Sequence, residues 1–279
     1  MLIIDKDVLN DIDRGFSVPA QPKLLLELLK LMAEPSPNVN HITEAISKDI
    51  AVSAAILKVI NSPLYGLSRT ITDIKMSVNY IGIYGVIMLV TGSLLKKSFD
   101  PVNCSINLEK FWLLNSDIAT IAMSLGKKLK PSIANDKFFS LGLFHDCGIP
   151  VMSMKYKGYQ ELLEQATSTP EQTLTAIEET KYQFNHAVIG YYVASSWRIP
   201  RDVCQIILQH HDREFLEVID NSQGQDLYAI LKLSENIAAL IHTDRESADW
   251  VFVKKQVMAV LELNETDLKE LITQALYTA

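Results

Sequence analysis

The residues of this chain best suited to chemistry are histidines that lie close to an acidic residue. His145 and Asp146 are adjacent in SLGLFHDCGIP, where the other residues are apolar or small. Aspartate is almost never fully buried unless it is paired or binds a metal. His186 lies in FNHAVIGYYVASSW, and His210 precedes His211 in ILQHHD. Imidazole and carboxylate ligands together suit Zn, Fe, Mn or Ni, which makes these residues candidate metal ligands.

The apolar residues around these histidines predict that each lies on the buried face of a helix. Phe138, Leu141 and His145 recur at three- and four-residue spacing, which is the spacing of one helical face. Two further segments show the same spacing, with His186, Ile189, Gly190, Val193 and Trp197 in one and Val203, Ile206, Ile207, His210 and His211 in the other. The sequence therefore predicts four inward-facing imidazoles on three helices.

Three interpretations of this group are open from the spacing alone. A single inward-facing histidine is more often a hydrogen-bonded core residue than a metal ligand. Four imidazoles and a carboxylate need a shared explanation, because each buried polar group without a partner costs about 1–3 kcal/mol. A metal centre, a pocket for a partner or small ligand, and a purely structural network would each supply one. His41 and His242 lack this context, and we interpret them as surface or boundary residues.

The overall charge argues against two classes of function. The chain has 279 residues, of which 26 are basic and 33 acidic, so its formal charge is -7. A general nucleic-acid binder or a binder of anionic membranes would show a basic patch or stripe, and the sequence has none. We therefore expect no nucleic-acid partner and no membrane association.

Cysteine content and apolar windows predict a soluble, cytoplasmic protein. Cys104, Cys147 and Cys204 are far apart and form no Cys-x-x-Cys pair, which fits a reducing compartment and opposes a disulfide framework. The first residues, MLIIDKDVLNDIDR, are acidic where a signal peptide would have its basic region. The most apolar window, VIMLVTGSLL, is shorter than the roughly 18 residues that a membrane span needs.

Helical periodicity runs through nearly every segment, so the predicted fold is all-α, a two-lobed helical bundle. In the first lobe, helices are predicted up to Asn61 and again after Thr72 or Asp73, either of which can cap the next helix. The polar stretch 96–107 is the predicted break between the lobes. In the second lobe, Asn264 is a predicted helix start, and the predicted helices are 108–126, 136–147, 158–166, 170–180, 185–197, 200–211, 226–242, 249–261 and 265–277.

Two groups of motifs resemble known families. LFHDCG, FNHAVIGYYVASSWRIP and ILQHH resemble the HD superfamily of metal-dependent phosphohydrolases. VPAQPKLLLELLKLM, ISKDIAVSAAILKVINSPLYG and RTITDIKMSVNYIG closely resemble the HDOD domain, an HD-related output module of bacterial signalling proteins. The resemblance implies an HDOD domain at 14–213, with an N-terminal helical lobe (14–100) and an HD-like lobe (108–213). It does not assign the rest of the chain, which we predict to be a lead-in at 1–13 and C-terminal helices at 214–279 that pack on the HD-like lobe.

The resemblance also implies a set of metal ligands. His145 and Asp146 match the His-Asp pair of the superfamily. His186, His210 and His211 match the histidines of the branch related to cyclic-dinucleotide phosphodiesterases. The nearest equivalent of the late aspartate of the pattern is Glu235. The cofactor implied is a divalent ion of Fe, Mn, Ni or Zn.

Several positions depart from the superfamily pattern. The first histidine of the pattern is replaced by Leu114 or, with a shift of one residue, by Asn115. The lysine that often follows the His-Asp pair is Ile149. No Gly-Tyr-Pro motif follows the last two histidines, which argues against hydrolysis of cyclic di-GMP.

These departures favour a non-catalytic signal-transduction module that has a degenerate metal pocket and acts through protein or small-ligand binding. The alternative is a metal-dependent phosphohydrolase acting on a nucleotide or another phosphoester. The sequence contains no receiver, kinase or cyclase domain, so the expected partners are signalling proteins that act in trans. An oligomer is also compatible with the sequence.

A turn is predicted where the third helical segment ends in NSPLYG, which is a specific feature of the resemblance. Asparagine and serine cap the helix, proline ends it, and glycine takes a positive φ. The residues of this predicted turn are Asn61, Ser62, Pro63, Leu64, Tyr65 and Gly66. Two of them, Leu64 and Tyr65, are candidates for contact with a partner.

Overall fold

The computed structural model describes residues 15–62, 65, 67, 69–168, 171–218 and 222–278. The regular secondary structure of these described residues is helical, with no β-strand, which confirms the all-α prediction. The chain forms two compact units. One comprises residues 19–100, and the other comprises residues 101–279 together with the described part of 1–18.

The first unit is built from helices whose apolar faces meet in a common core. Its described helices are α1 (Lys23–Met32), α2 (Val39–Ser47), α3 (Ile50–Ile60) and α4 (Ile74–Lys97). The buried apolar side chains of α1 to α3 include Leu25, Leu28, Ile42, Ile46 and Ile56. Of the two predicted caps of α4, Asp73 is the cap, because its carboxylate accepts a hydrogen bond from the backbone N–H of Met76 at 2.7 Å.

Asn61 ties the end of α3 to the segment that precedes α4. Its side-chain amide donates to the carbonyl oxygens of Leu57 and Ile71, at 2.9 and 2.8 Å, and its Oδ1 accepts from the Ile71 N–H at 2.7 Å. Ser62 and Tyr65 are half-buried. Three residues of the predicted turn, and with them the predicted positive φ, lie outside the described residues: Pro63, Leu64 and Gly66.

Helix α4 is the one described helix that is long and apolar enough, by length and composition, to cross a membrane. Its apolar stretch is therefore longer than the window that the sequence drew attention to. However, 61% of the most apolar part is buried within the protein, as in the core helix of a soluble protein. At Gly82 the helical geometry is interrupted by a φ of 75°, which glycine adopts without the strain that a side chain would cause.

The second unit is organised around one long helix. Its described helices are α5 (Leu108–Leu129), α6 (Asn135–Phe144), α7 (Gly148–Lys155), α8 (Tyr159–Ser168), α9 (Leu174–Tyr182), α10 (His186–Ser196), α11 (Arg201–Gln209), α12 (Phe215–Val218), α13 (Ser222–Thr243), α14 (Trp250–Val260) and α15 (Glu265–Thr278). Helix α13 packs against α5, α6, α11 and α14, and its residues from Leu227 to Leu233 are buried. The core of this unit therefore forms around α13.

Helices α5 and α6 approach closely because glycines lie where they meet. A Cβ atom added at Gly142 would lie 2.5 Å from the Cα atom of Ala119. The two helices are joined by a short connection and run antiparallel. One helical turn beyond this contact come His145, at the end of α6, and Asn115, within α5. This register places Asn115 level with His145.

The predicted helix 136–147 ends earlier, as α6, at Phe144; residues 145–147 form a turn, and α7, which was not predicted, follows directly. Pro150 explains the break, because proline has no N–H to donate to the carbonyl of Asp146 four residues earlier. Pro150 lies in the first turn of α7, where a helix tolerates proline because the N–H groups there have no partner within the helix. The helix predicted over 200–211 ends at Gln209, before His210 and His211. The His-Asp pair and the other candidate histidines therefore lie at helix ends, where the chain changes direction, whereas Glu235 lies within α13.

Residues 15–18 belong to the second unit, although the sequence boundaries place them at the start of the first lobe. Phe16 accounts for this, because it is 6% exposed and packs within the second unit. Its ring lies edge-on to Phe184 at 5.4 Å and to Tyr156 at 6.2 Å, and the ammonium of Lys155 lies 4.0 Å from its ring centre.

Ser105, which lies just before α5, is hydrogen-bonded to the same residues at the end of α7. Its backbone N–H donates to the carbonyl of Ser153 at 3.2 Å, and its hydroxyl donates to the carbonyl of Tyr156 at 3.0 Å. Residues 15–18 and residue 105 are therefore both anchored on the residues that end α7.

The predicted start of the last helix is confirmed. Asn264 accepts hydrogen bonds from the N–H groups of Thr266 and Asp267 at 2.8 and 3.0 Å. The carboxylate of Asp267 accepts in return from the N–H of Asn264 at 3.1 Å. This reciprocal cap satisfies backbone donors that a helix leaves without partners at its N-terminus.

Candidate metal centre

Asp146 lies at the centre of a cluster of imidazoles from three parts of the second unit. Its Oδ1 is 3.4 Å from Nε2 of His186 and 3.2 Å from Nε2 of His210, and its Oδ2 is 3.3 Å from Nε2 of His145. The Nε2 atoms of His186 and His210 are 3.4 Å apart. One ligand atom from each of four residues lies within 4.8 Å of the others, and these residues are Asp146, His186, His210 and His211.

Gly148 brings the His-Asp pair against α10. A Cβ atom at this position would lie 2.0 Å from the carbonyl oxygen of His186 and 2.7 Å from the backbone nitrogen of Gly190. Without a side chain, the first turn of α7 touches the backbone of α10 directly. Asp146 comes two residues before Gly148, so this contact sets its distance from His186.

Two of the imidazoles are oriented by backbone carbonyl groups. Nδ1 of His145 donates to the carbonyl of Gly142 at 2.8 Å, and Nδ1 of His210 donates to the carbonyl of Ile207 at 2.7 Å. Because a carbonyl oxygen can only accept, the proton of each neutral ring lies on Nδ1. The lone pair on Nε2 then points toward Asp146.

The other two imidazoles are oriented by carboxylates. Nδ1 of His186 is 2.7 Å from Oε2 of Glu178, and Nδ1 of His211 is 2.8 Å from Oδ2 of Asp249. Each carboxylate accepts the Nδ1 proton, which leaves Nε2 as the ligand atom. Histidines that bind metals usually donate their second ring N–H to a carboxylate or a carbonyl in this way.

The donor atoms fit a divalent metal ion. Two ligands about 2.0–2.1 Å from an ion and separated by a tetrahedral angle lie about 3.4 Å apart. The distances from Asp146 Oδ1 to the nitrogens of His186 and His210, and between those nitrogens, are 3.2 to 3.4 Å. With no proton or cation between them, these lone pairs would repel one another. The described residues could thus hold a metal ion, although their types do not distinguish Zn from Fe, Mn or Ni.

Glu178 is a member of this site that sequence reasoning missed. Its side chain is completely buried, and it accepts hydrogen bonds from the Tyr159 hydroxyl, from the backbone N–H of His186 at 2.9 Å and from Nδ1 of His186. In the sequence it is one of two adjacent glutamates in a helix rich in polar residues. Only its position eight residues before His186 could have drawn attention to it.

A second network of charges was also missed by sequence reasoning. The side chain of Lys232 is 1% exposed, and its ammonium lies 2.9 Å from Oε2 of Glu235 and 3.4 Å from Oδ2 of Asp249. Arg213 donates to Oδ1 of Asp249 from two guanidinium nitrogens, both at 3.0 Å. Asp249 thus joins these two basic side chains to His211.

Opposing effects set the ionisation of the cluster without a metal. Burial would raise the pKa of Asp146, but the imidazoles beside it, His145 first, hold that pKa well below its usual value. Burial lowers the pKa of His186, but Glu178 and Asp146 raise it to about 10. Burial lowers the pKa of His210 below its usual value. A proton on His186 would therefore have to leave when a metal binds.

The structure brings five of the six predicted ligands together, and the sixth lies at the edge. Oε1 of Glu235 is 3.7 Å from Nε2 of His145, while its other oxygen is bound by Lys232. At the position of the first histidine, Asn115 is buried and donates from Nδ2 to the carbonyl of Phe111 at 2.9 Å. Leu114 is 37% exposed. His41 and His242 are exposed, as expected.

The fold is shared with solved structures from several bacteria. A "Putative signal transduction protein" of Marinobacter aquaeolei VT8 has a TM-score of 0.69 at 16% identity, covering 99% of this chain and 60% of that one. A "Putative phosphohydrolase" of Shewanella amazonensis SB2B has a TM-score of 0.67 at 20% identity, covering 97% and 93%. An HDOD domain protein with unknown function from Geobacter sulfurreducens has a TM-score of 0.64 at 17% identity, covering 98% and 97%. At these identities the likeness shows the fold alone.

Sequence relatives identify the family. An uncharacterized protein of Treponema pallidum (strain Nichols) is 26% identical over 210 residues, which are 72% of this chain and 39% of that protein. The chain thus spans about two fifths of the length of this relative. The model of the HDOD domain matches residues 18–213, which is more than half of the chain and includes every histidine of the cluster. The sequence resemblance is therefore confirmed, and the chain belongs to the HDOD domain family.

Proposed function

We propose that this chain is a non-catalytic regulatory module of bacterial signalling, built around a pocket for a divalent metal ion. The observation that supports the pocket most strongly is that four imidazoles are anchored at Nδ1 and offer Nε2 around Asp146. A regulatory role fits membership of the HDOD family and the fold shared with a "Putative signal transduction protein".

The lack of catalysis is inferred from the groups around the pocket. A metal-dependent phosphohydrolase needs groups that stabilise the phosphoryl oxygens and the leaving group. Ile149, in place of the lysine of the superfamily, is a buried apolar side chain. Lys232 and Arg213 are both bound to carboxylates of the protein. Asn115, level with His145, has an amide in place of the imidazole of the superfamily, and the nitrogen of that amide donates to a backbone carbonyl.

A bound metal ion would supply a fixed positive charge that attracts an anionic group. The ligands of such an ion are the donors described above, and Glu178 and Asp249 would orient two of them. The side chain of Asp146 is 23% exposed, so solvent reaches the pocket. A small anion or a carboxylate of a partner protein could therefore reach the ion. This supports action by binding rather than by turnover.

Partners and location form part of the proposal. The module would act on signalling proteins in trans, in the cytoplasm. None of the three cysteines, which all lie among the described residues, forms a disulfide bond, which suits a reducing compartment. The acidic net charge of -7 argues against nucleic acid as the partner.

Elemental analysis of the full chain, purified without chelator or histidine tag, tests the pocket. We expect bound Fe, Mn, Ni or Zn in the wild-type protein and none in the His145→Ala/His210→Ala double variant. An absence of metal from wild-type protein, together with no uptake of added Mn²⁺ or Zn²⁺, would overturn the metal pocket. Circular dichroism of the double variant shows whether it remains folded.

The metal-dependent phosphohydrolase is the second candidate, and the metal-type donor set with a solvent-exposed Asp146 favours it. Both candidates predict a bound metal, but only this one predicts turnover. Metal-stimulated hydrolysis of bis(p-nitrophenyl) phosphate or of a nucleotide, abolished by His145→Ala, would establish it and would overturn the non-catalytic proposal. We expect no such hydrolysis above that of the double variant.

A further inference from the structure

The pocket divides into two sides that share Asp146. On one side, Oδ1 of Asp146 lies near Nε2 of His186 and His210, with His211 completing the group. On the other side, Oδ2 of Asp146 faces Nε2 of His145, which lies 3.7 Å from Glu235. A pocket for two metal ions would use both sides, with the carboxylate of Asp146 between them.

Lys232 alters the charge on the second side of the pocket, where His145 and Glu235 lie. Its ammonium is buried, and it lies 2.9 Å from Oε2 of Glu235, which is within hydrogen-bonding distance. Glu235 is therefore already neutralised by a cation that belongs to the protein. A metal ion bound between His145 and Glu235 would lie beside this ammonium in a region of low dielectric constant, where two like charges repel strongly.

Charge balance supports a single ion. Four carboxylates surround the imidazoles: Asp146, Glu178, Glu235 and Asp249. Two basic side chains, Lys232 and Arg213, form ion pairs with these carboxylates. With neutral imidazoles, the remaining charge of minus two is cancelled by one divalent cation. A second divalent cation would leave an excess of positive charge, and charges that are buried without a counter-charge are strongly unfavourable.

We propose that the pocket binds one divalent cation and that the ammonium of Lys232 takes the place of a second. The ligands of this cation are Asp146, His186, His210 and His211. His145 and Glu235 then border the site without a metal of their own. The inference rests on the proposed metal pocket and specifies its stoichiometry and the residue that sets it.

Titration of the chelator-treated full chain with Mn²⁺, followed by the electron paramagnetic resonance signal of free Mn²⁺, measures the stoichiometry directly. We expect about one equivalent in the wild-type protein, because the ammonium of Lys232 takes the place of a second cation. In Lys232→Met, which removes the ammonium at similar volume, Glu235 is released and we expect a second equivalent. Lys130→Met is the matched control, because it removes another ion pair of the same unit, to Asp226 at 2.7 Å, and should leave one equivalent.

The outcomes separate this inference from the pocket itself. Two equivalents in the wild-type protein would overturn the role of Lys232 and leave the metal pocket intact. One equivalent in Lys232→Met, folded by circular dichroism, would also overturn it. No binding in wild-type protein would overturn both the pocket and this inference.

Glu235→Gln provides a second measurement in case Lys232→Met does not fold. Glu235→Gln removes one negative charge near the pocket, so if Glu235 serves Lys232 rather than the metal we expect a loss of Mn²⁺ affinity of less than about tenfold. The loss of a residue that contacts the metal or orients its ligands costs about 10–100-fold. A loss of that size in Glu235→Gln would show that Glu235 is a ligand and would overturn the proposal.

Discussion

Glu178 is completely buried, and both oxygens of its carboxylate accept hydrogen bonds, one from Tyr159 and the other from two donors of His186. The carboxylate thus fixes the position of the His186 backbone and the orientation of its ring at the same time. A carboxylate that accepts the Nδ1 proton of a histidine determines that Nε2 faces the metal, and it increases the basicity of the ring. At the scale of residues, the pocket depends on such supporting groups as much as on its ligands.

Replacement of Glu178 by glutamine is expected to weaken metal binding by about 10–100-fold, because an uncharged amide makes His186 a weaker ligand. Titration with Mn²⁺ measures the change. Glu179→Gln is the matched control, since Glu179 is the exposed neighbour on the same helix and the glutamine oxygen can still accept the hydrogen bond from the Asn185 side chain. This variant should bind Mn²⁺ as the wild type does. Equal affinities in the two variants would contradict the role of Glu178.

The sequence does not distinguish Glu178 from Glu179, because both are helical glutamates and the difference between them arises from tertiary packing. The histidines were predictable, since helical periodicity places them on apolar faces. Their convergence on Asp146 was expected from a resemblance rather than from spacing. The burial of Lys232 contradicts the general preference of lysine for solvent, and its two carboxylate partners explain it: Glu235, one helical turn away, and Asp249, 17 residues later.

The cysteines differ in their expected reactivity. Burial raises the pKa of the Cys204 thiol to about 11 and that of Cys147 well above its usual value. At pH 8, a thiol with a pKa near 11 is ionised to only about 0.1%, and the thiolate is the reactive form. Cys104 is less buried than the other two. We therefore expect iodoacetamide at pH 8 to label Cys104 first.

Mass spectrometry of peptides from the labelled native protein checks this order. Protein labelled in guanidinium chloride is the control, in which all three thiols should react. Early labelling of Cys147 in the native protein would show that the turn after Asp146 opens readily, contrary to its burial.

At the scale of elements, the contact between α7 and α10 determines where the His-Asp pair lies. The contact needs a residue without a side chain, and Gly148 is that residue. The same turn contains Pro150, which prevents α6 from continuing as one helix. Local chemistry visible in the sequence thus explains why α6 ends at Phe144, although apolar periodicity predicts that the helix continues to residue 147. By contrast, the cap at Asn264 was predicted correctly because all of its partners are within three residues.

We expect Gly148→Ala to destabilise the protein by about 1–3 kcal/mol or more, because the new methyl group would overlap backbone atoms that cannot move aside like a flexible side chain. The affinity for Mn²⁺ should also fall, since the new methyl group would move Asp146 away from His186. Urea unfolding and Mn²⁺ titration measure the two effects.

Gly158→Ala is the matched control for this variant. Its Cβ atom would lie 3.6 Å from a side-chain oxygen of Glu161, which is an ordinary contact. Where the backbone permits alanine, such a change stabilises a protein by about 0.4–1 kcal/mol. Equal stabilities of the two variants would show that the contact between α7 and α10 is not tight.

At the scale of the whole molecule, the candidate ligands all belong to the unit that comprises residues 101–279 and the described part of 1–18. The unit of residues 19–100 has its own core and contributes none of the described ligands. The two units divide within the polar stretch 96–107. The assignment of residues 15–18 could not be predicted, because the partners of Phe16 lie far away in the sequence.

A bound metal should stabilise the unit that holds it. A ligand at 100 times its Kd stabilises the folded form by about 2.7 kcal/mol. We expect added Mn²⁺ to raise hydrogen-exchange protection in α6, α7, α10 and α11, and to leave residues 19–100 nearly unchanged. The His145→Ala/His210→Ala double variant should show no increase. An equal increase in both units would contradict a metal site confined to one.

The docking of Phe16 has a consequence for the order in which the protein acquires its structure during synthesis. Its partners Tyr156 and Phe184 follow it by 140 and 168 residues in the chain. At about 5–20 residues per second, the ribosome needs roughly 10–30 s to produce them. Residues 19–100 are synthesised well before that time, so this unit can fold before the partners of Phe16 have been made. The proposed metal pocket needs His210 and His211, so it cannot be complete before the partners of Phe16 have been made.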